Sequence, residues 1–295
     1  SPAVFSITKH KFHNILQNTT SPDVYLREDE KQTYLTWMEK EARHIISALQ
    51  SATMVVIDDP QPCGLIPHIK RSYPDLPVIY RSHIQIREGE HPHFARTWSF
   101  LWEQISQADR FVAHPVSAFV PSDVPRECLR YRPATTDPFD GLNKQLIAGQ
   151  RTRYRAWCDQ LLRTQKQRPI DWNREKIVQL ARFDPAKGYL DVIKAYLRLR
   201  EQANDVSPQL ILAGVCAHDD PQSEEILRQI NELVSSSPFA EDIKVIPLPF
   251  VDQLMNVLAD EADMILQLSY SEGFEVKVSE CMLKKKPVLA YETGG

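Results

Sequence analysis

From about residue 171 onward, short apolar runs alternate with stretches whose apolar positions recur every three or four residues. Residues 176–180 (KIVQL) form the first run, and 209–215 (QLILAGV), 243–246, 264–268 and 287–291 repeat it. Between them, 191–202 places Val192, Ile193, Ala195, Tyr196, Leu197 and Leu199 on a helical period. Residues 224–234 do the same with Ile226, Leu227, Ile230 and Leu233. Residues 252–259 and 274–284 read as two more helices, and His218-Asp219-Asp220-Pro221 closes the second run as a turn. Strand and helix alternating at this spacing predict an α/β fold, a parallel sheet wrapped by helices.

The N-terminal part carries the same theme with fewer repeats. Residues 53–57 and 77–80 are apolar strands joined through a helical stretch at 65–71. Residues 94–105 read as a helix and 110–113 as a strand, with long charged helices at 33–50 and 144–167. The polar stretch Gln165-Lys166-Gln167-Arg168-Pro169 marks a domain end. Two α/β domains follow, 1–170 and 171–295, with no solenoid-period repeat and no low-complexity tract.

Composition narrows the partners. The 295 residues hold 35 Lys+Arg against 39 Asp+Glu, a formal charge of −4, which lacks the basic footprint of a nucleic-acid binder. No apolar run approaches the ~18 residues of a membrane span. The first 18 residues lack a basic segment followed by an apolar one, so no signal peptide is visible and a cytoplasmic location is expected. Cysteines at 63, 128, 158, 216 and 281 are odd in number and scattered, which fits a reducing compartment. Glycine is scarce, nine in all and none before Gly64, so the glycine-rich first turn of a dinucleotide binder is missing.

In open parallel sheets, ligands bind beyond the carboxyl ends of the strands. After 176–180 come Arg182 and Lys187, two cations bracketing a Pro-containing turn before a helix: a phosphate site, or a surface pair flanking a loop. After 264–268 come Glu272 and Glu280, eight apart, either acceptors for sugar hydroxyls or a capping acid and a solvated one. The first domain's strand ends carry Asp58-Asp59-Pro60-Gln61-Pro62 and Arg81-Ser82-His83, where His83 either faces a cleft or serves structure. The pairs His10/His13 and His91/His93 lack a third ligand at zinc spacing, so no metal is expected. No G-x-S-x-G, G-x-G-x-x-G or Walker A pattern occurs.

Taken together these pieces are specific. Arg182-Phe183-Asp184-Pro185-Ala186-Lys187-Gly188, Glu272-Gly273-Phe274-Glu275-Val276-Lys277-Val278-Ser279-Glu280, Lys286-Pro287-Val288 and Gly294-Gly295 resemble the second domain of retaining GT-B glycosyltransferases, with the two glutamates in that group's E-x7-E motif. Val56-Ile57-Asp58-Asp59-Pro60-Gln61-Pro62, Tyr80-Arg81-Ser82-His83-Ile84 and Ala217-His218-Asp219-Asp220-Pro221 resemble its trehalose phosphorylase and trehalose synthase branch. His114-Pro115-Val116, residues 119–125 and residues 134–144 are most similar to the fungal members.

That resemblance implies two Rossmann-like domains with parallel sheets facing a central cleft, and retaining transfer of an α-glucosyl group. It assigns catalysis to His83, Arg182, Lys187 and Glu272, and places Arg182, Lys187, Glu272, Gly273, Phe274 and Glu280 on the donor or phosphate side. Asp59, Gln61 and Arg81 would line the acceptor glucose pocket. The implied partners are trehalose, glucose, glucose 1-phosphate or a nucleotide-diphosphate glucose, and phosphate, with no metal, no cofactor, and a homodimer as the assembly. It further implies a chain shortened at both ends, without the family's first strand and glycine-rich loop and without its C-terminal segment, so activity of this chain alone is in question. Lys285 stands where many relatives have glycine; a turn needing positive φ there costs about 1 kcal/mol. The leading expectation is reversible phosphorolysis of trehalose. The alternatives are trehalose synthesis from a sugar nucleotide, or a non-catalytic paralogue.

Overall fold

The computed structural model describes residues 1–203, 207–216 and 221–294. Its packing divides the chain into two units, Ser1–Ala134 with Glu272–Phe274 and Gly294, and Thr135–Ser271 with Glu275–Thr293. The motif residues Ala217, His218, Asp219, Asp220 and Gly295 lie outside the described residues.

The first unit opens with helical turns, α1 (Pro2–Ser6), a wider π-type stretch Ile7–His13 and α2 (Asn14–Leu16). Phe12, Ile15 and Leu16 there are fully buried, each worth about 1.5–3 kcal/mol of burial. Helix α3 (Glu28–Ala48) starts on three acids, and Glu30 accepts the Arg27 backbone N–H at 2.9 Å, which suits the positive end of the helix. Strand β1 (Val55–Asp58), α4 (Ile66–Ser72), β2 (Val78–Arg81), α5 (Phe94–Ile105), β3 (Arg110–Ala113) and β4 (Leu129–Tyr131) complete it. The strands form one parallel sheet in the order β1-β2-β3-β4.

In the second unit, α6 (Ala148–Thr164) precedes β5 (Lys176–Leu180), α7 (Tyr189–Gln202), β6 (Gln209–Val215) and α8 (Pro221–Ser235). Then follow β7 (Ile243–Leu248), α9 (Asp252–Glu261), β8 (Met264–Gln267), α10 (Val276–Leu283) and β9 (Val288–Ala290). All five strands are parallel, ordered β7-β6-β5-β8-β9. Alternate residues of each strand feed two cores. Val178, Ile211, Ala213, Ile246 and Ile265 meet α6, α9 and Cys281, while Leu210, Leu212, Ile243 and Val245 meet α7 and α8. Helix α6 precedes the polar 165–169 stretch in sequence, yet it packs on β7 and α9 because Cys158 and Leu162 complete that core.

All five cysteines are unpaired. Among the described residues, no helix is long and apolar enough to cross a membrane. Lys285 does adopt a left-handed conformation, φ 59°. Strand order reverses between β5 and β8, so the loops after these two strands frame the place where such sheets bind ligands.

Candidate functional site

In the first unit, the carboxyl ends of β1 and β2 bring the named side chains together. Asp59 turns the chain in a left-handed conformation, φ 62°, and its Oδ1 accepts the His83 backbone N–H at 2.7 Å. His83 Nε2 donates to Asp58 Oδ1 at 2.9 Å. Arg81 donates to the Arg132 carbonyl at 2.9 Å and, more weakly, to His114 Nδ1 at 3.4 Å. Gln61 Nε2 donates to His13 Nε2 at 2.6 Å, while its Oε1 is buried without a protein hydrogen-bond partner. Burial raises the Asp59 carboxyl above its usual range and lowers His13, although each partly offsets the other by charge.

Glu272, Gly273 and Phe274, given to the donor side by resemblance, pack with this unit. A Cβ on Gly273 would lie 2.3 Å from the His83 carbonyl oxygen, so only glycine permits that approach. The Phe274 ring stacks on His114 with centroids 5.2 Å apart, and the His114 ring meets His83 edge-on at 5.8 Å. His13 and His114 are two residues that sequence reading left out of the site. A lone histidine carries no signal of its own until the fold places it beside Gln61 or Arg81.

Burial, then the Arg81 guanidinium and His83, push the His114 imidazole down to about 4 from 6.5. The neutral ring is therefore the folded form, and between pH 6.5 and 4 the unfolded chain binds the extra proton. Stability from this group is complete above 6.5 and falls as pH drops towards 4. His114→Gln is expected to flatten the decline by up to about 1.4 kcal/mol per pH unit, read from urea midpoints at pH 7 and 5.

In the second unit, Arg182 and Lys187 lie on the loop after β5. Arg182 is exposed, with Nη2 3.9 Å from Asp184 Oδ2. Asp184 also caps the short turn Pro185–Lys187 by accepting the Ala186 N–H at 2.8 Å. The loop is fixed from three sides. Gln179 Nε2 donates to the Lys187 carbonyl at 2.8 Å, Tyr189 Oη to the Ala181 carbonyl at 2.6 Å, and the Tyr270 N–H to the Ala186 carbonyl at 2.8 Å. Gly188 then starts α7 at φ 64°, where a Cβ would sit 2.1 Å from the Leu268 carbonyl oxygen. Lys187 Nζ stands 3.6 Å from Glu275 Oε2.

The apolar spacing predicts a helix over 274–284, just after Glu272. The structure starts α10 at Val276, because Glu275 turns through a left-handed conformation first, φ 61°. Glu280 therefore comes in the second turn of α10. It is buried, 2.5 Å from Lys277 Nζ and 3.4 Å from Asn143 Nδ2. Among the described residues, no three His, Cys, Asp or Glu side chains converge as a metal set.

Two family profiles match the chain: "Trehalose synthase, N-terminal domain" over residues 1–121 and "Glycosyl transferases group 1" over residues 163–295. A trehalose phosphorylase of Pleurotus pulmonarius is 43% identical across 100% of this chain and 43% of its own length. A trehalose synthase of Thermococcus litoralis is 35% identical across 99% of this chain and 64% of its own length. The chain thus spans less than half of that phosphorylase. Among solved structures, the UDP-forming α,α-trehalose-phosphate synthase of Burkholderia vietnamiensis superposes with a TM-score of 0.78 at 12% identity, over 99% of this chain and 71% of that one.

Proposed function

Residues 1–121 match a trehalose synthase N-terminal domain and residues 163–295 match the group 1 glycosyl transferases, and on that similarity we propose that the chain carries retaining glucosyl transfer between trehalose and phosphate. The observation that carries this reading is the immobilised loop holding Arg182 and Lys187 at the switch point of the second sheet. Two cations on a loop whose backbone is fixed in advance neutralise a phosphate with little rearrangement of the chain as charge develops on it. The C1–O bond to one glucose breaks, and a phosphate oxygen takes that carbon on the same face. The proton on the attacking phosphate passes to the oxygen of the departing glucose, so glucose and α-glucose 1-phosphate are the products.

Glu272 is the acceptor for hydroxyls of the transferred glucose, and Glu280, with Gly273 and Phe274, shapes the donor side. Asp59, Gln61 and Arg81 hold the second glucose, with His83 beside the transferred one. Similarity to phosphorylases at 42–43% identity over the full chain supports phosphate as co-substrate. Synthases at 28–35% identity support a second reading, in which a nucleotide-diphosphate glucose occupies the same cations.

Retention is tested by proton NMR of the products formed from trehalose and phosphate by the full-length protein. The α anomer of glucose 1-phosphate is expected as the first product. The β anomer as the initial product would overturn the assignment.

A further inference from the structure

Glu275 holds a backbone conformation, φ 61° and ψ 67°, that side chains other than glycine rarely adopt. Its carboxylate accepts the Lys277 backbone N–H at 3.1 Å, at the amino end of α10, and also faces Lys187 Nζ at 3.6 Å. Both side chains of that pair are mostly buried, 13% and 15% exposed, so their charges are only weakly screened. The next cation along, Lys277, is engaged by Glu280 at 2.5 Å.

A helix N-terminus beside a phosphate-binding cation is where a second phosphoryl group would ordinarily find its amide donors. Here a carboxylate already occupies that position, and it does so through a strained residue. Resting on the reading of Arg182 and Lys187 as the phosphate cations, we propose that Glu275 determines specificity by limiting the anion site to one phosphoryl group. Orthophosphate or a sugar 1-phosphate is admitted against Arg182 and Lys187. A diphosphate is refused, because its second phosphoryl meets a like charge and an amide already engaged.

The test compares wild type, Glu275→Gly and Glu275→Gln in the full-length protein, by calorimetric titration with glucose 1-phosphate, orthophosphate and UDP-, ADP- and GDP-glucose. Wild type is expected to prefer glucose 1-phosphate over each sugar nucleotide by at least about tenfold. Glycine relieves the backbone and removes the charge together. In that variant glucose 1-phosphate binding is expected to tighten as Lys187 loses its counter-charge, and at least one sugar nucleotide is expected to gain about tenfold or more beyond that, so that the preference shifts. Glutamine removes the charge and keeps the bulk, so it falls between the two.

An unchanged preference in Glu275→Gly, with glucose 1-phosphate still bound, would overturn the proposal alone. Wild type binding neither anion would overturn the phosphate-site reading and this proposal with it. Thermal melting confirms folding; if the glycine variant does not fold, glutamine carries the comparison, and an unshifted ratio there counts against the proposal.

Discussion

Lys187→Ala is expected to lower kcat/KM for trehalose phosphorolysis by about 10²–10³-fold, the usual loss when one preorganised charge-stabilising donor is removed. The loop geometry makes this a loss of transition-state stabilisation rather than of loop position. Gln179, Tyr189 and Tyr270 hold the loop through backbone carbonyls of Ala181, Ala186 and Lys187, none of which the substitution removes. Forward and reverse reactions cross the same transition state, so both directions lose equally. The substitution also costs Glu275 an ammonium partner 3.6 Å away, worth about 1–3 kcal/mol of stability at a mostly buried pair. The double variant Lys187→Ala/Glu275→Gln separates the two effects, because the amide oxygen can still accept the Lys277 N–H that caps α10. It is expected to regain stability without regaining rate, read by urea unfolding beside initial rates. Wild-type rates in Lys187→Ala would remove the residue from the site.

The second large effect is structural. In Gly214→Ala, the new Cβ would lie 1.5 Å from the Ala181 carbonyl oxygen and 2.6 Å from its carbon, a clash with backbone that no rotamer relieves. Gly214 sits in β6 beside β5, at the level where β5 gives way to the Arg182 loop. The two strands must part there, with a loss of about 3 kcal/mol or more and disruption of the cation loop. Activity is expected to fall with stability. Gly149→Ala is the internal control: it lies in α6 with nothing within 4 Å of the added carbon. Removing a flexible residue from a helix there should stabilise by up to about 1 kcal/mol. Thermal melts of the two variants should therefore move in opposite directions.

The elements whose apolar pattern is unmixed were legible in the sequence. Phe94–Ile105, Arg110–Ala113, Lys176–Leu180 and Gln209–Val215 coincide with the pattern-derived bounds, because buried strands and one-sided helices leave a clear period. The segment Pro2–Leu16 was not legible. Its buried positions are interleaved with polar and basic residues (Thr8, Lys9, His10, Lys11 and His13), and the stretch Ile7–His13 winds as a wider helix, so the segment shows no clean apolar stripe. Strand β4 is three half-exposed residues with an arginine at its centre, too short to show alternation.

At the site, the spacing of Arg182, Lys187, Glu272 and Glu280 carried the chemistry only as a set. The environment of each member depended on features the pattern does not carry. Glu275 delays α10 by turning left-handed, Glu280 is drawn inward by Lys277, and Gly273 is pressed against the His83 carbonyl. His13 and His114 entered only through proximity, one beside Gln61 and the other between Arg81 and Phe274.

A paired assay on the full-length protein tests the proposed glucosyl transfer to phosphate at the Arg182–Lys187 loop most directly. One arm follows glucose 1-phosphate release from trehalose with and without phosphate, and the other follows trehalose formation from UDP-, ADP- or GDP-glucose plus glucose. Phosphate-dependent release with silence in the nucleotide arm is the predicted result. Trehalose formation from a sugar nucleotide, with no phosphate-dependent release, would contradict it.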